Sequence, residues 1–264
     1  MKTKNLFAIA LAALLISTSA LAESAKARLA KAEAMFQERC QKAGEFIYKT
    51  AENVEGVFLL KLRPKGINRG DQYRMDDPYG RDLGGEGYIQ SFARGFETRQ
   101  AQFAPGSPNR YGYLYVDAVD PKDGQRYRYT GRIEEPWQTN KSYLKGYMRF
   151  VLDRILAPDP APRYGVTYDD ISTREERDYW IAGSSLKVID LKTNEVMAER
   201  IGYMMDRGQG NNSGGRAPWL LAANNACPSF FSNPNLLPNG HGSAAQRHQT
   251  EDFVEKVLKP KMEK

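Results

Sequence analysis

From Ser24 to Ala43 apolar residues step by three and four: Leu29, Ala32, Phe36, Cys40 and Ala43 fall on one stripe. That spacing predicts an amphipathic helix, with Gly44 as its stop. After Gly44 the pattern changes to that of strands. Phe46 to Thr50 and Val54 to Arg63 are rich in apolar and aromatic residues, and Tyr88 to Ala93 alternates like a strand. Met148, Phe150 and Leu152 alternate too, although Val151 and Ile155 would also suit a helix; we read 147–156 as a strand.

Two hairpins are the clearest prediction. Arg110–Val119 and Gln125–Ile133 flank Pro121-Lys122-Asp123-Gly124. Opposing Asp120 to Gln125 puts Leu114, Val116 and Ala118 on one face with Tyr127 and Tyr129, and sets Asp117 against Arg128 on the other. Tyr179–Leu191 and Glu195–Met205 flank Lys192-Thr193-Asn194, where Asn194 can take the left-handed backbone of a tight turn. Residues 65–87 and the Gly/Asn-rich 207–216 read as loops, the latter mobile. Pro218 opens a short helix, and a final helix after Thr250 carries Phe253, Val254, Val257 and Leu258 on one side. The expected architecture is α+β: an antiparallel sheet of six to eight strands, open to strong curling, with helices from both chain ends packed on it.

One segment stands outside this pattern. Leu6 to Ile16 is continuously apolar, follows Lys2 and Lys4, and ends in Ala20-Leu21-Ala22. It has the order of a secretory leader and is too short to span a bilayer, which takes ~20 apolar residues. Residues 1–22 are therefore expected to be removed. Residues 23–264 would form a single soluble domain in a periplasm or outside the cell, with no lipid anchor, because no cysteine follows the cleavage point.

The compartment changes how the two cysteines are read. Cys40 and Cys227 are expected to pair in an oxidising space. The chain-entropy model gives such a long closed loop roughly 5 kcal/mol at most.

Charge changes the picture little. The formal net charge is +6, of which the leader supplies two. No basic block marks a nucleic-acid partner. An anionic envelope component or another exported protein is the expected partner. The hairpin face carrying Tyr113, Tyr115, Arg128 and Arg132 is the candidate recognition surface.

Chemistry-bearing motifs are sparse. Asp76, Asp77, Asp82 and Glu86 in a Gly-rich stretch could supply oxygen ligands to calcium, without the spacing of an EF-hand. His241 and His248 are the only histidines and lack a third ligand motif. There is no phosphate loop, no nucleophile elbow and no His-Glu-x-x-His. The expected function is a non-enzymatic binding or interaction role. The alternative is an envelope hydrolase using carboxylates such as Asp76, Asp77 or Glu86, or His241. N-terminal sequencing of the protein recovered from an envelope fraction should return Glu23; Met1 would remove the export expectation.

Overall fold

A computed structural model describes residues 23–65, 72–80, 84–96, 112–134, 149–230, 246 and 249–262. The leader, Asp82, His241 and His248 lie outside the described residues.

Ser24 starts the first described helix, α1 (Ala25–Cys40), by accepting the Ala27 N–H at 3.1 Å. Three short strands follow: β1 (Gly44–Ile47), β2 (Ala51–Val54) and β3 (Gly56–Leu59). Next come α2 (Glu86–Phe92), β4 (Tyr115–Val119), β5 (Arg126–Glu134), β6 (Arg149–Leu156) and β7 (Tyr164–Asp170). The single-turn helix α3 (Arg174–Asp178) carries a reciprocal Thr173–Glu176 cap. It leads into β8 (Ile181–Asp190) and β9 (Glu195–Met205). The chain ends with α4 (Pro218–Ala222), β10 (Ala226–Cys227), α5 (Gln249–Val257) and β11 (Leu258–Pro260).

Nine strands make one sheet in the order β1-β9-β8-β7-β3-β4-β5-β6, with β10 also on β9. Strands β2 and β11 form a separate parallel pair. The expectation of an antiparallel, possibly strongly curled sheet is corrected here. The sheet is mixed, because β3 lies parallel to both β4 and β7, and it is not strongly curled. Parallel neighbours require a crossover connection, and α2 provides it between β3 and β4.

Two local misreadings hid this arrangement. The apolar run 54–63 looked like one strand. Asn53 instead takes a left-handed backbone (φ 57°), and β2 and β3 go to different sheets. Residues 88–93 looked like a strand but form most of α2. Tyr88, Ile89, Ser91 and Phe92 are all buried, so no polar stripe marks the helical period. The Tyr88 and Phe92 rings meet edge-on at 5.3 Å, one helical turn apart.

The hairpin registers follow the sequence. Val116 opposes Tyr129, Asp117 opposes Arg128 and Ala118 opposes Tyr127. Asp190 opposes Glu195, and Asn194 has φ 57°. Residues 207–216, expected to be mobile, are closed onto one carboxylate. Buried Asp206 accepts the Gly208 and Gly210 N–H groups at 3.0 and 2.9 Å and is ion-paired to Arg216.

Alternation along β8 and β9 divides the core between the two faces of the sheet. Leu186, Val188 and Ala198 pack with α2 and α5, including Phe92, Phe253, Val254 and Val257. On the same face Ala182 and Met204 pack with Trp219 and Ala222 of α4. Ile181, Tyr203 and Met205 point the other way and receive Ala32 and Phe36 of α1. Losing a buried Phe such as Phe36 costs about 3–5 kcal/mol.

Strands β1 and β10 lie end to end on β9: Gly44 pairs with Ile201, and Cys227 with Tyr203. This brings Cys40 to Cys227, which form a disulfide with Cα atoms 5.5 Å apart, across 187 residues of chain. No helix among the described residues is long and apolar enough to cross a membrane.

Replacing both cysteines by alanine should lower unfolding stability by up to roughly 5 kcal/mol, read from the urea midpoint. An unchanged midpoint would show that the bond does not staple the fold.

Candidate functional site

The parallel strands β3 and β4 end side by side, and the chain leaves both ends in loops. Between those loops, the start of α2 and the side chains of β5 and β6 lies a cleft of about 680 Å³. Leu62, Ile89 and Leu152 give it apolar walls, and Lys65, Lys122 and Arg154 stand on it. The carboxyl ends of parallel strands are where open α/β sheets place ligands, because the connecting loops diverge there. The volume is in the range of small-molecule sites.

Arg63 borders the cleft and is fully buried. Its guanidinium donates to Asp77 and stacks on the Tyr168 ring 4.0 Å away, with Tyr88 at 5.4 Å. Its Nε and Nη2 have no hydrogen-bond partner among the described residues. Asp77 is equally buried, has a left-handed backbone (φ 52°) and also accepts the Ser184 hydroxyl at 3.0 Å. Burial pushes its carboxyl up against the pull of Arg63. Gly80 closes the turn after Asp77, and a Cβ there would sit 1.7 Å from Arg63 Nη1. Only glycine leaves room for the pair. Burial raises the Tyr88 hydroxyl to about 12, so it stays protonated at neutral pH.

The rim is organised by a device that recurs through the sheet. Asp120 ends β4, accepts the Lys122 N–H at 2.9 Å and takes Arg154 from β6 at 2.8 Å. Asp190 ends β8, accepts the Lys192 N–H at 3.0 Å and takes Arg163 at 2.6 Å. Asp170 at the end of β7 accepts the Ser172 N–H at 2.9 Å and pairs with Arg177. Each aspartate closes a turn two residues on and is neutralised by an arginine.

The candidate calcium residues do not gather. Asp76 accepts Lys61 Nζ at 3.0 Å and the Tyr168 hydroxyl at 2.9 Å. Asp77 belongs to Arg63. Glu86 sits exposed on α2 and accepts from Gln90 at 3.1 Å. Asp82 lies outside the described residues, among which no three His, Cys, Asp or Glu side chains are placed to hold a metal.

The Tyr/Arg face is brought together only in part. Arg128 lies 3.8 Å over the Tyr115 ring and grips Asp117 through Nε at 2.7 Å and Nη2 at 3.0 Å. Arg132 is on the same face but is occupied by Asp153 at 2.6 Å and by Glu134. Tyr113 does not belong to this face. It is fully buried and donates its hydroxyl to the Leu258 carbonyl at 2.7 Å. The N–H groups of Leu114 and Tyr115 both turn to the Glu55 carbonyl, which breaks the alternation before β4 begins.

Lys65, Lys122 and Leu152 were not singled out from sequence. Pro64 and the Pro121-Lys122-Asp123-Gly124 turn mark where two strands stop, but only the parallel pairing of β3 with β4 makes those stops neighbours.

No known protein family, curated protein or solved structure matches this chain.

The aspartate turns predict an acid limit. Lys122's N–H and Arg154 hold the Asp120 carboxyl below its ordinary value, and Arg163 and the Lys192 N–H do so for Asp190. A depressed folded value contributes stability that is complete above the ordinary aspartate value of about 3.9 and is lost as pH falls through the folded value. Melting temperature should therefore fall below pH ~4, and Asp120→Asn with Asp190→Asn should flatten that fall. An unchanged acid slope in the double variant would assign the acid sensitivity elsewhere.

Proposed function

We propose that this chain is an exported, soluble, non-enzymatic binding protein that holds a small molecule in the cleft at the ends of β3 and β4. The observation that carries this reading is the cleft itself: apolar walls, a few polar side chains, and the carboxyl ends of two parallel strands. The disulfide and the leader-like first 22 residues support export.

The groups lining the cleft favour binding over turnover. Asp120 is held ionised by its N–H and arginine partners, which makes it a poor proton donor and a weak base. The Tyr129 phenol is pushed up by burial, away from use as a nucleophile. Of the carboxylates offered for hydrolysis, Asp76 and Asp77 are committed to Lys61 and Arg63.

The test is a thermal melt with a small-molecule extract of the envelope, on the wild type and on Leu152→Trp. Leu152 is half-buried and packs on the core from the cleft side, so the indole fills the cleft without adding charge, and the variant's own ligand-free midpoint serves as its reference. The extract should raise the wild-type midpoint and leave the variant unmoved. Equal shifts would remove the cleft as the site. A bound compound recovered chemically altered would replace binding by catalysis.

A further inference from the structure

We infer that the ligand of this cleft is an amphipathic anion: an aliphatic body carrying one carboxylate or phosphate head. The inference rests on the cleft being the binding site and adds the chemical class of its occupant.

The body follows from the walls. Leu62 and Leu152 are half-buried and face the opening, with Ile89 behind them. Covering them with hydrocarbon removes apolar surface from water at roughly 25 cal/mol per Å². A purely polar ligand would leave that gain unused.

The head follows from which charges are already spoken for. Arg63 is offset by Asp77, and Arg154 by Asp120 at 2.8 Å. Lys65 and Lys122 line the cleft and have no carboxylate partner among the described residues. Glu86 opposes them and, among the described residues, accepts from Gln90 alone. Two unneutralised ammonium groups against one carboxylate leave a positive rim over an apolar floor. A ligand cation would meet this field as repulsion; an anion would displace only water from the lysines.

The signs of three substitutions test this together. The probes are sodium decanoate, decyl phosphate, 1-decanol and decyltrimethylammonium, each below its micelle threshold, titrated into the full mature chain by calorimetry. One or both anions should bind, more weakly as salt is raised. Lys65→Gln combined with Lys122→Gln should weaken that binding about tenfold, and Glu86→Gln should tighten it about twofold to fivefold. All three positions are exposed, so the variants keep the fold. Comparing decanoate with decyl phosphate distinguishes a carboxylate from a phosphate head.

Decanol binding as tightly as either anion would overturn the charge assignment while leaving the cleft. Preference for the ammonium probe, or inverted signs in the variants, would overturn it as well, as would silence from all four probes. Anion binding that survives the neutral, bulky Leu152→Trp would instead remove the cleft reading, and conversion of the anion would remove the non-enzymatic one.

Discussion

The buried pair of Arg63 and Asp77 is the constraint around which the cleft end of the sheet is built. Neither side chain has measurable exposure, and neither belongs to a helix or strand. They are carried by the stretch that must travel from the end of β3 to the start of α2. Ser184 on β8 and Tyr168 on β7 tie that stretch to the sheet. Charges taken out of water recover their desolvation only through close partners, so removing one member of such a pair costs about 3–5 kcal/mol. The pair is therefore a weak source of net stability but a strong determinant of path. With Arg63 fixed, its carbonyl accepts the Gly85 N–H at 2.6 Å and sets where α2 begins. The cleft is the space left between that helix and the neighbouring strands.

The aspartates at the strand ends extend the same logic outward. A strand that stops must satisfy the N–H groups of the turn that follows. Asp120, Asp170 and Asp190 do this with one oxygen and Asp206 with both, while an arginine neutralises each: Arg154 and Arg163 from more distant segments, Arg177 and Arg216 from within ten residues. One side chain thus ends a strand, shapes a turn and links it to another part of the chain. Turn geometry and tertiary pairing become coupled, which suits a sheet whose neighbours come from distant segments, such as β3 between β4 and β7.

How much of this was legible depends on distance along the chain. Both hairpins could be read because alternation and turn residues are local: the Asp117–Arg128 pairing follows once the turn is placed. Helix α1 was legible for the same reason, from its three-four spacing, whereas the Cys40–Cys227 bond, 187 residues apart, was legible because the chain has two cysteines and a leader-like start. The parallel strand β3 was not, since nothing near Gly56–Leu59 announces Tyr115 as a neighbour. Gly56 bears the mark only in retrospect: a Cβ there would lie 2.1 Å from the Tyr115 ring. Helix α2 was hidden by being buried on almost every side. Asp76 and Asp77 attracted attention as chemistry-bearing residues. Their cationic partners, Lys61 and Arg63, precede them in a run that read as strand, so an acidic cluster in sequence became two separate ion pairs in space.

The same accounting decides what the basic composition means. The chain has 38 Lys and Arg against 32 Asp and Glu, a surplus that by itself suggests a diffuse positive field. In the structure the arginines of the hairpin face are spent internally: Arg126 and Arg128 on Asp117, Arg132 on Asp153 and Glu134. A face dense in arginine is then nearly neutral to an approaching partner, since each exposed pair screens itself and is worth little beyond its own geometry. Lys65 and Lys122 contribute fewer charges, but neither forms an ion pair among the described residues, and both stand beside apolar surface. Local imbalance of this kind orients a ligand, and net charge does not. That distinction is why the proposed binding site lies with the lysines after β3 and β4 and not on the arginine-rich sheet face.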